Sequence, residues 1–299
     1  MTPHRDSPFH LGEITMQLKA GKRENAEVIG RNMIREFMPD QHREFYAQLP
    51  FLVAGAVDDE GRPWATLVTG SPGFVSTPDA VSLQVEADSR RNDPVIELLT
   101  AGREVGLLGI ELPTRRRNRV NGRVRSRAGD TFVVDVTHSF GNCPQYIQIR
   151  DVQPQVSAAQ SGERTSFTGL PEDVSAFIRR ADTFFVSSVA ADDVGALGGG
   201  VDVSHRGGPT GFVEVSGNSL TVPDYRGNNI FNTLGNFLTY PKAGLVFVDF
   251  DQGDLLQLTG DVELHDADRT WQVSVSSGQW LHGALPYSFG EPEFSPRNL

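Results

Sequence analysis

The amino-acid sequence predicts a mainly β protein of the α+β kind, in which two small antiparallel barrels follow one another behind a helical leader. Three observations carry this expectation. Short apolar strands bounded by Gly- and Pro-containing turns recur from residue 51 onward. Residues of the first half recur in the second at one constant spacing. Before residue 51 the apolar residues instead repeat at helical spacing.

Residues 1–50 form the predicted leader. Leu11, Ile14 and Leu18 share one helical face until Gly21, and Val28, Ile29, Met33 and Ile34 repeat in the same way. A third helix opens at Pro39, a favourable first-turn residue, and carries Phe45, Tyr46 and Leu49 up to Pro50.

The first module is read over residues 51–152. FLVAGAVDDEGRPWATLVT is an apolar strand, an acidic Gly-containing turn and a returning strand, hence a hairpin. Further strands are expected at Ser82 to Val85, Val105 to Ile110, Val120 to Val124 and Phe132 to Val136, with one helical segment after Asp93-Pro94. Residues 153–169 are polar and aperiodic over most of their length and read as a linker. The second module, with a C-terminal extension, is read over residues 170–299, beginning with a helix from Leu170 to Arg180 and the strand FFVSSVA. Gly73-Phe74-Val75, Gly106-Leu107, and Gly122 with Val124 return as Gly211-Phe212-Val213, Gly244-Leu245, and Gly260 with Val262, always 138 residues later. One offset over so long a stretch points to a duplicated module. Hairpins with a single helix, rather than alternating strands and helices, favour antiparallel barrels over a parallel sheet.

Composition narrows the function. The chain has 299 residues, with 27 Lys and Arg against 38 Asp and Glu, a formal charge of −11. So acidic a surface lacks the extended positive field that nucleic acid or an anionic membrane requires. The single cysteine, Cys143, excludes an intrachain disulfide and a four-cysteine metal centre held by this chain alone. With no apolar run of about 18 residues and no basic-then-apolar start, a soluble cytoplasmic protein is expected. No dinucleotide-binding fingerprint is present, and Gly198-Gly199-Gly200 has no helix of that type behind it.

Chemistry concentrates in three places. Ile230, Leu234, Phe237 and Leu238 mark one face of a helix, which puts Asp224 to Asn229 at its amino end. There, unpaired backbone N–H groups and Arg226 suit a phosphate, although Asn228 or Asn229 also reads as a simple N-cap. Ser204, His205 and Arg206 offer a hydroxyl, an imidazole and a guanidinium before a Gly-Gly-Pro turn, either to hold anionic oxygens or as ordinary strand-end residues. Arg115, Arg116, Arg117, Arg119 and Arg123 place five cations within nine residues of an acidic chain. Strand alternation sends Arg115, Arg117 and Arg119 to one face and Arg116 to the other, so Arg116 and Arg117 are the two candidates for reaching a ligand groove. Cys143 lies in the turn-rich segment Ser139 to Tyr146 without a His at a motif spacing, which reads as packing rather than a nucleophile. There is no GxSxG, and His10, His42, His138, His265 and His282 form no HxH or HxxxH pair, so neither a serine hydrolase nor a protein-bound metal is expected.

Taken together, LPFLVAGAVDDEGRPWATLVTGSPGFV, GLLGIELPTRRRNRVNGRV, SFGNCPQYIQ, DVSHRGGPTGFV, PDYRGNNIFNTLGN and GLVFVDFDQGDLLQLTG resemble the pyridoxamine 5'-phosphate oxidase-like FMN-binding split-barrel proteins, in a long two-module form. The resemblance spans Phe9 to about Trp271. It implies two tandem split barrels with FMN in the groove between them, its phosphate held by basic and hydroxyl side chains. The matching positions are Ser204, His205, Arg206, Arg226 and Asn228, with Asn229 beside them; Ser89, Arg90 and Arg91 occupy the comparable helix start of the first module. Thr66 stands where the pyridoxamine phosphate oxidases carry a basic residue, and their C-terminal substrate segment has no counterpart here, so the implied activity is that of an FMN-dependent oxidoreductase of unknown substrate, transferring hydride through flavin N5. The alternative is a flavin-binding or flavin-carrier module without turnover, served by a separate reductase or electron donor. FAD, heme and deazaflavin are secondary cofactor candidates, because a fold does not fix its ligand. The expected partner is a small-molecule substrate, and a homodimer is left open.

Overall fold

A computed structural model of the chain describes residues 7–88, 92–155, 162–191 and 200–296. Three helices lead, α1 (Leu11–Lys19), α2 (Arg23–Met33) and α3 (Asp40–Ala47). The first sheet follows, with β1 (Phe51–Val57), β2 (Pro63–Thr69), β3 (Val75–Asp79), β4 (Ser82–Glu86), the single-turn helix α4 (Pro94–Glu97), β5 (Glu104–Glu111), β6 (Arg116–Ala128) and β7 (Thr131–Gly141). After β8 (Val152–Pro154), β9 (Arg164–Thr168) and α5 (Glu172–Ile178), the second sheet is made by β10 (Thr183–Ala190), β11 (Gly200–Gly207), β12 (Glu214–Ser216), β13 (Ser219–Pro223), the helix α6 (Asn232–Thr239), β14 (Lys242–Asp249), β15 (Asp254–His265) and β16 (Thr270–Leu281). β17 (Tyr287–Phe289) pairs with β8.

The protein is mainly β, and its strand pairs are antiparallel. The first sheet runs β2-β1-β5-β6-β7-β4-β3 and the second β11-β10-β14-β15-β16-β13-β12, with β9 added on β16. Strand for strand the two orders coincide, and α4 and α6 each stand between the fourth and fifth strands of their sheet. The sheets pack through equivalent glycines. A Cβ on Gly106 would come within 2.6 Å of the Val201 carbonyl oxygen, and one on Gly244 within 2.5 Å of the Pro63 carbonyl, so each sheet's central strand needs a glycine to admit the other's edge strand. Around this contact Phe51, Val53, Leu67, Leu108, Phe185, Val203, Val246 and Leu255 form a shared core, while each sheet also encloses its own.

Several elements differ from their expected form. On α1 the predicted apolar face is buried only in part: Ile14 packs against the Phe9 cluster, but Leu11 is 69% exposed and Leu18 62%, while Gly12, Glu13, Met16 and Gln17 are buried. The cause is a backbone crossing, because α1 lies so close to α6 that a Cβ on Gly12 would meet the Gly235 carbonyl oxygen at 2.1 Å. Val28 is likewise exposed, and α2 buries Ala26 and Gly30. β6 and β7 extend well beyond the apolar runs that announce them, since their polar ends pair with each other across the hairpin. Ser139 to Gly141 therefore belong to strand β7, not to a turn. The segment read as a linker contributes β9 to the second sheet, where Phe167 packs over Gly278, and shares β8 with β17. Ser89, Arg90, Arg91, Gly198 and Gly199 lie outside the described residues. Among the described residues no helix is long and apolar enough to cross a membrane.

Candidate functional site

Between the two sheets lies a cavity of about 130 Å³. β6 sends in Arg117 and Arg119, β11 sends in Ser204, His205 and Arg206, the segment leading into α6 adds Asn228 and Asn229, and the first turn of α6 adds Thr233. Asn142, Cys143 and Tyr146, just beyond β7, complete the wall.

One part of this wall is hydrogen-bonded through its charged groups, although Arg119 Nε and Asn121 Oδ1 are enclosed without a partner. Arg119 Nη1 donates to Asp202 Oδ1 at 3.1 Å and its Nη2 to Ser204 Oγ at 2.7 Å; Thr233 Oγ1 donates to the same hydroxyl at 2.9 Å. Asp202 also accepts from Asn121 at 2.6 Å and from Asn236 at 2.8 Å, and Asn236 Oδ1 meets His10 Nε2 at 2.8 Å. A continuous polar chain thus runs from the leader to the cavity, and the Asp202 carboxylate is committed to Arg119.

The other part lacks partners. The Nε atoms of Arg117 and Arg206 and both ring nitrogens of His205 are enclosed without a hydrogen bond, as is Asn142 Nδ2. Leaving one such atom unpaired costs about 1–3 kcal/mol, more for charged groups. Burial, then repulsion from Arg119, pushes the Arg117 guanidinium down to about 9; Cys143 opposes the fall and Arg206 adds a lesser push. Burial lowers Arg206 as well, with Asp224 opposing and Arg119 adding to the effect. His205 is driven well below the ordinary histidine range by burial, Arg117, Arg206 and Arg150 and is therefore neutral. Arg206 lies 5.9 Å over the Trp271 ring, and Phe185 meets the His205 ring edge-on at 5.6 Å. These contacts fix direction but supply no anion. Three guanidinium groups around a neutral imidazole, with one carboxylate spent on Arg119, make a place for a negatively charged group that also accepts hydrogen bonds.

At the rim Tyr146 stacks on Tyr225, ring centroids 5.1 Å apart and 24° between planes, and Tyr146 Oη donates to the Arg226 carbonyl at 3.0 Å. Beyond Asp224, Gly227 and Asn229 the cavity adjoins a groove of about 920 Å³ lined by Lys22, Arg226, His265 and Arg269. Arg269 is paired with Asp224 at 3.0 Å.

The structure therefore brings Ser204, His205, Arg206, Asn228, Asn229 and Arg117 together around one cavity. Arg226 faces the outer groove. Arg116 points the other way, 5.1 Å over the Phe45 ring and 4.0 Å from Glu111, so of the two strand arginines only Arg117 lines the cavity. Arg115 does not share its face by alternation, because it ends a 3₁₀ turn at φ 57 before β6 begins and donates to the Ile147 carbonyl at 2.9 Å. Neither Asn228 nor Asn229 caps α6. The N-cap is Phe231 at φ 65, Asn229 is left-handed at φ 59, and Asn228 accepts from the Ile230 N–H at 3.2 Å, closing a turn before the helix starts. Ile230, Leu234 and Phe237 are buried as expected, but Leu238 is half-exposed at 39%. Sequence reasoning does not assign Arg119, Asn142, Thr233 or the Tyr146–Tyr225 pair to the site. Only Arg119 carries a usable signal, by lying two residues from Arg117 on the same strand face.

No protein-family model matches the chain, and no curated protein matches it in sequence. Similar solved structures include HupZ of Group A Streptococcus, at 9% identity and TM-score 0.28, covering 35% of this chain and 98% of that one. An F420 reductase aligns at 14% identity and TM-score 0.24 over 36% of this chain and 100% of its own. The K. pneumonia MrkH–c-di-GMP complex aligns at 9% identity and TM-score 0.20 over 77% of this chain and 78% of its own. Scores this low bear on neither the ligand nor the activity.

Proposed function

We propose that the chain is an FMN-binding oxidoreductase, built as two tandem split barrels, whose cofactor phosphate sits in the cavity between the sheets. The observation that carries the reading is the set of enclosed, unpartnered nitrogens on Arg117, His205 and Arg206. Arg117 and Arg206 would hold the phosphate charge, with neutral His205 and Asn142 donating hydrogen bonds to its oxygens. A cavity of about 130 Å³ is smaller than the ~300–1,000 Å³ usual for a whole ligand of this size, which suits the phosphate end alone. The stacked Tyr146 and Tyr225 and the adjoining groove offer flat, apolar and cationic surface to the rest of the cofactor. When bound, the flavin supplies hydride transfer at N5; the chain's own part is to bind, orient and shield it.

On this reading the protein is cytoplasmic, acts on a small molecule and needs neither nucleic acid nor membrane. The carrier reading, with a separate reductase as partner, is favoured by one feature: among the described cavity-lining residues the one carboxylate, Asp224, is paired with Arg269, so no free acid stands ready to move a proton.

The test is the visible spectrum of the purified protein before and after FMN is added. Stoichiometric capture with perturbed oxidised-flavin bands is expected, and a Soret band without flavin uptake refutes the proposal. Oxidation of reduced nicotinamide by the loaded protein then separates enzyme from carrier.

A further inference from the structure

The cavity has a mate in the other half of the molecule, and the strand register identifies it. Thr66 faces Ala54 across β1 and β2 as Ser204 faces Val186 across β10 and β11, and Arg119 faces Leu108 as Gln257 faces Val246. β1 and β10 are offset by 186 − 54 = 132, while from β2 onward the shift is one, 204 − 66 = 257 − 119 = 138. The same shift carries Arg117 to Leu255, His205 to Leu67, Arg206 to Val68 and the α6 cap Phe231 to the α4 cap Asp93.

At the mate the positions of Arg117, His205 and Arg206 are apolar: Leu255, Leu67 and Val68 are buried in hydrophobic clusters. In its middle stands a carboxylate instead. Asp93, only 4% exposed, accepts from Thr66 Oγ1, from the Val95 N–H at 2.8 Å and from Gln257 Nε2 at 3.3 and 3.2 Å, while Gln279 holds Gln257 in place at 2.5 Å. Thr66 and Gln257 are the counterparts of Ser204 and Arg119, so the positions whose hydroxyl and guanidinium frame an open place in one half supply a hydroxyl and an amide to the chain's own carboxyl group in the other. An external anion there would have to expel a buried, hydrogen-bonded carboxylate.

We infer that the protein binds one phosphate-bearing ligand per chain, in the cavity of Arg117, His205 and Arg206, and that Asp93 permanently fills the equivalent place of the other half. The inference rests on the reading that the cavity takes a phosphate, but not on that phosphate belonging to a flavin. Two like halves would otherwise offer two sites.

The experiment is a titration of the whole protein with FMN by calorimetry and with radiolabelled inorganic phosphate by equilibrium dialysis. One equivalent of each per chain is expected, with phosphate competing against FMN and both lost in the double variant Arg117→Met, Arg206→Ala. Asp93→Asn keeps the shape of the plug and should leave FMN affinity within about twofold; if it does not fold, Gln279→Leu, one step further from the carboxylate, takes its place. Two equivalents per chain, binding that survives the double variant, no binding of either probe, or an about tenfold loss on Asp93→Asn would overturn the inference. Phosphate bound once per chain with no uptake of FMN would sink the flavin proposal and leave this one standing.

Discussion

Arg117→Met should make the ligand-free protein more stable while destroying its hold on phosphate. The substitution keeps most of the side chain's length and removes a charge that lies enclosed with Arg119 and Arg206 and whose Nε has no partner. A guanidinium pushed from its ordinary value down to about 9 sits in surroundings unfavourable by at most about 5 kcal/mol, at ~1.36 kcal/mol per pH unit. Arg117 is only half-buried, so water screens part of this, and repulsion between guanidinium groups at an effective dielectric constant of about 20 leaves a gain of roughly 1–3 kcal/mol. For a chain of this size that raises the melting temperature by roughly 2–5 °C. Saturating phosphate ligand should reverse the order, because a ligand at a thousand times its dissociation constant adds about 4.1 kcal/mol to the wild type and little to the variant. Differential scanning calorimetry of both proteins, with and without FMN, reads all four states. If ligand-free Arg117→Met melts below the wild type, and FMN raises both equally, the cavity is not an unfilled anion site.

Arg206→Ala should weaken FMN binding by about tenfold or more, the value of a charge-assisted contact of about 1.5–3 kcal/mol, and leave riboflavin binding unchanged; Arg226→Ala, in the outer groove, should cost less and lose its effect at high salt. Equal losses for FMN and riboflavin in calorimetric titrations would argue against a phosphate role. Because His205 is held well below its unfolded value of about 6.5, the stability it contributes is present above that pH and is lost as pH falls below it, by up to about 1.4 kcal/mol per pH unit. His205→Phe should therefore flatten the fall in denaturant-measured stability between about pH 6.5 and 5, and an unchanged slope would mean that the imidazole protonates freely in the folded protein. Gly12→Ala should cost about 1–3 kcal/mol by driving α1 off α6 and should speed amide exchange in both helices; an unaltered melting curve would refute the close crossing.

Much of the fold is legible in the sequence because strands and turns announce themselves locally. The hairpin of β1 and β2, the burial of Phe45, Tyr46 and Leu49, and the 138-residue echo all follow from alternation, turn chemistry and repetition. Helical spacing misreads the α1 face because it identifies an apolar stripe but not what the helix meets. Two glycines, Gly12 and Gly235, let the backbones touch, and that contact outweighs the stripe, leaving Leu11 and Leu18 outside. The polar ends of β6 and β7 escape a sequence reading for a similar reason: their partner is each other, and cross-strand pairing does not show in the hydrophobicity of either strand.

By itself the sequence determined which residue types exist for the chemistry: an arginine cluster in an acidic chain, a Ser-His-Arg run, and a polar approach to a helix. Alternation further required that Arg116 and Arg117 part company. Only the tertiary structure decided which of the two lines the cavity, that Arg119 is neutralised by Asp202 while Arg117 and Arg206 are not, and that Arg226 lies outside. It alone shows that the two sheets differ at equivalent places, one open and cationic, the other closed on Asp93. Charge compensation is a property of neighbours in space. Arg119 meets Asp202 and Ser204 from 83 and 85 residues away, separations at which no local pattern carries information.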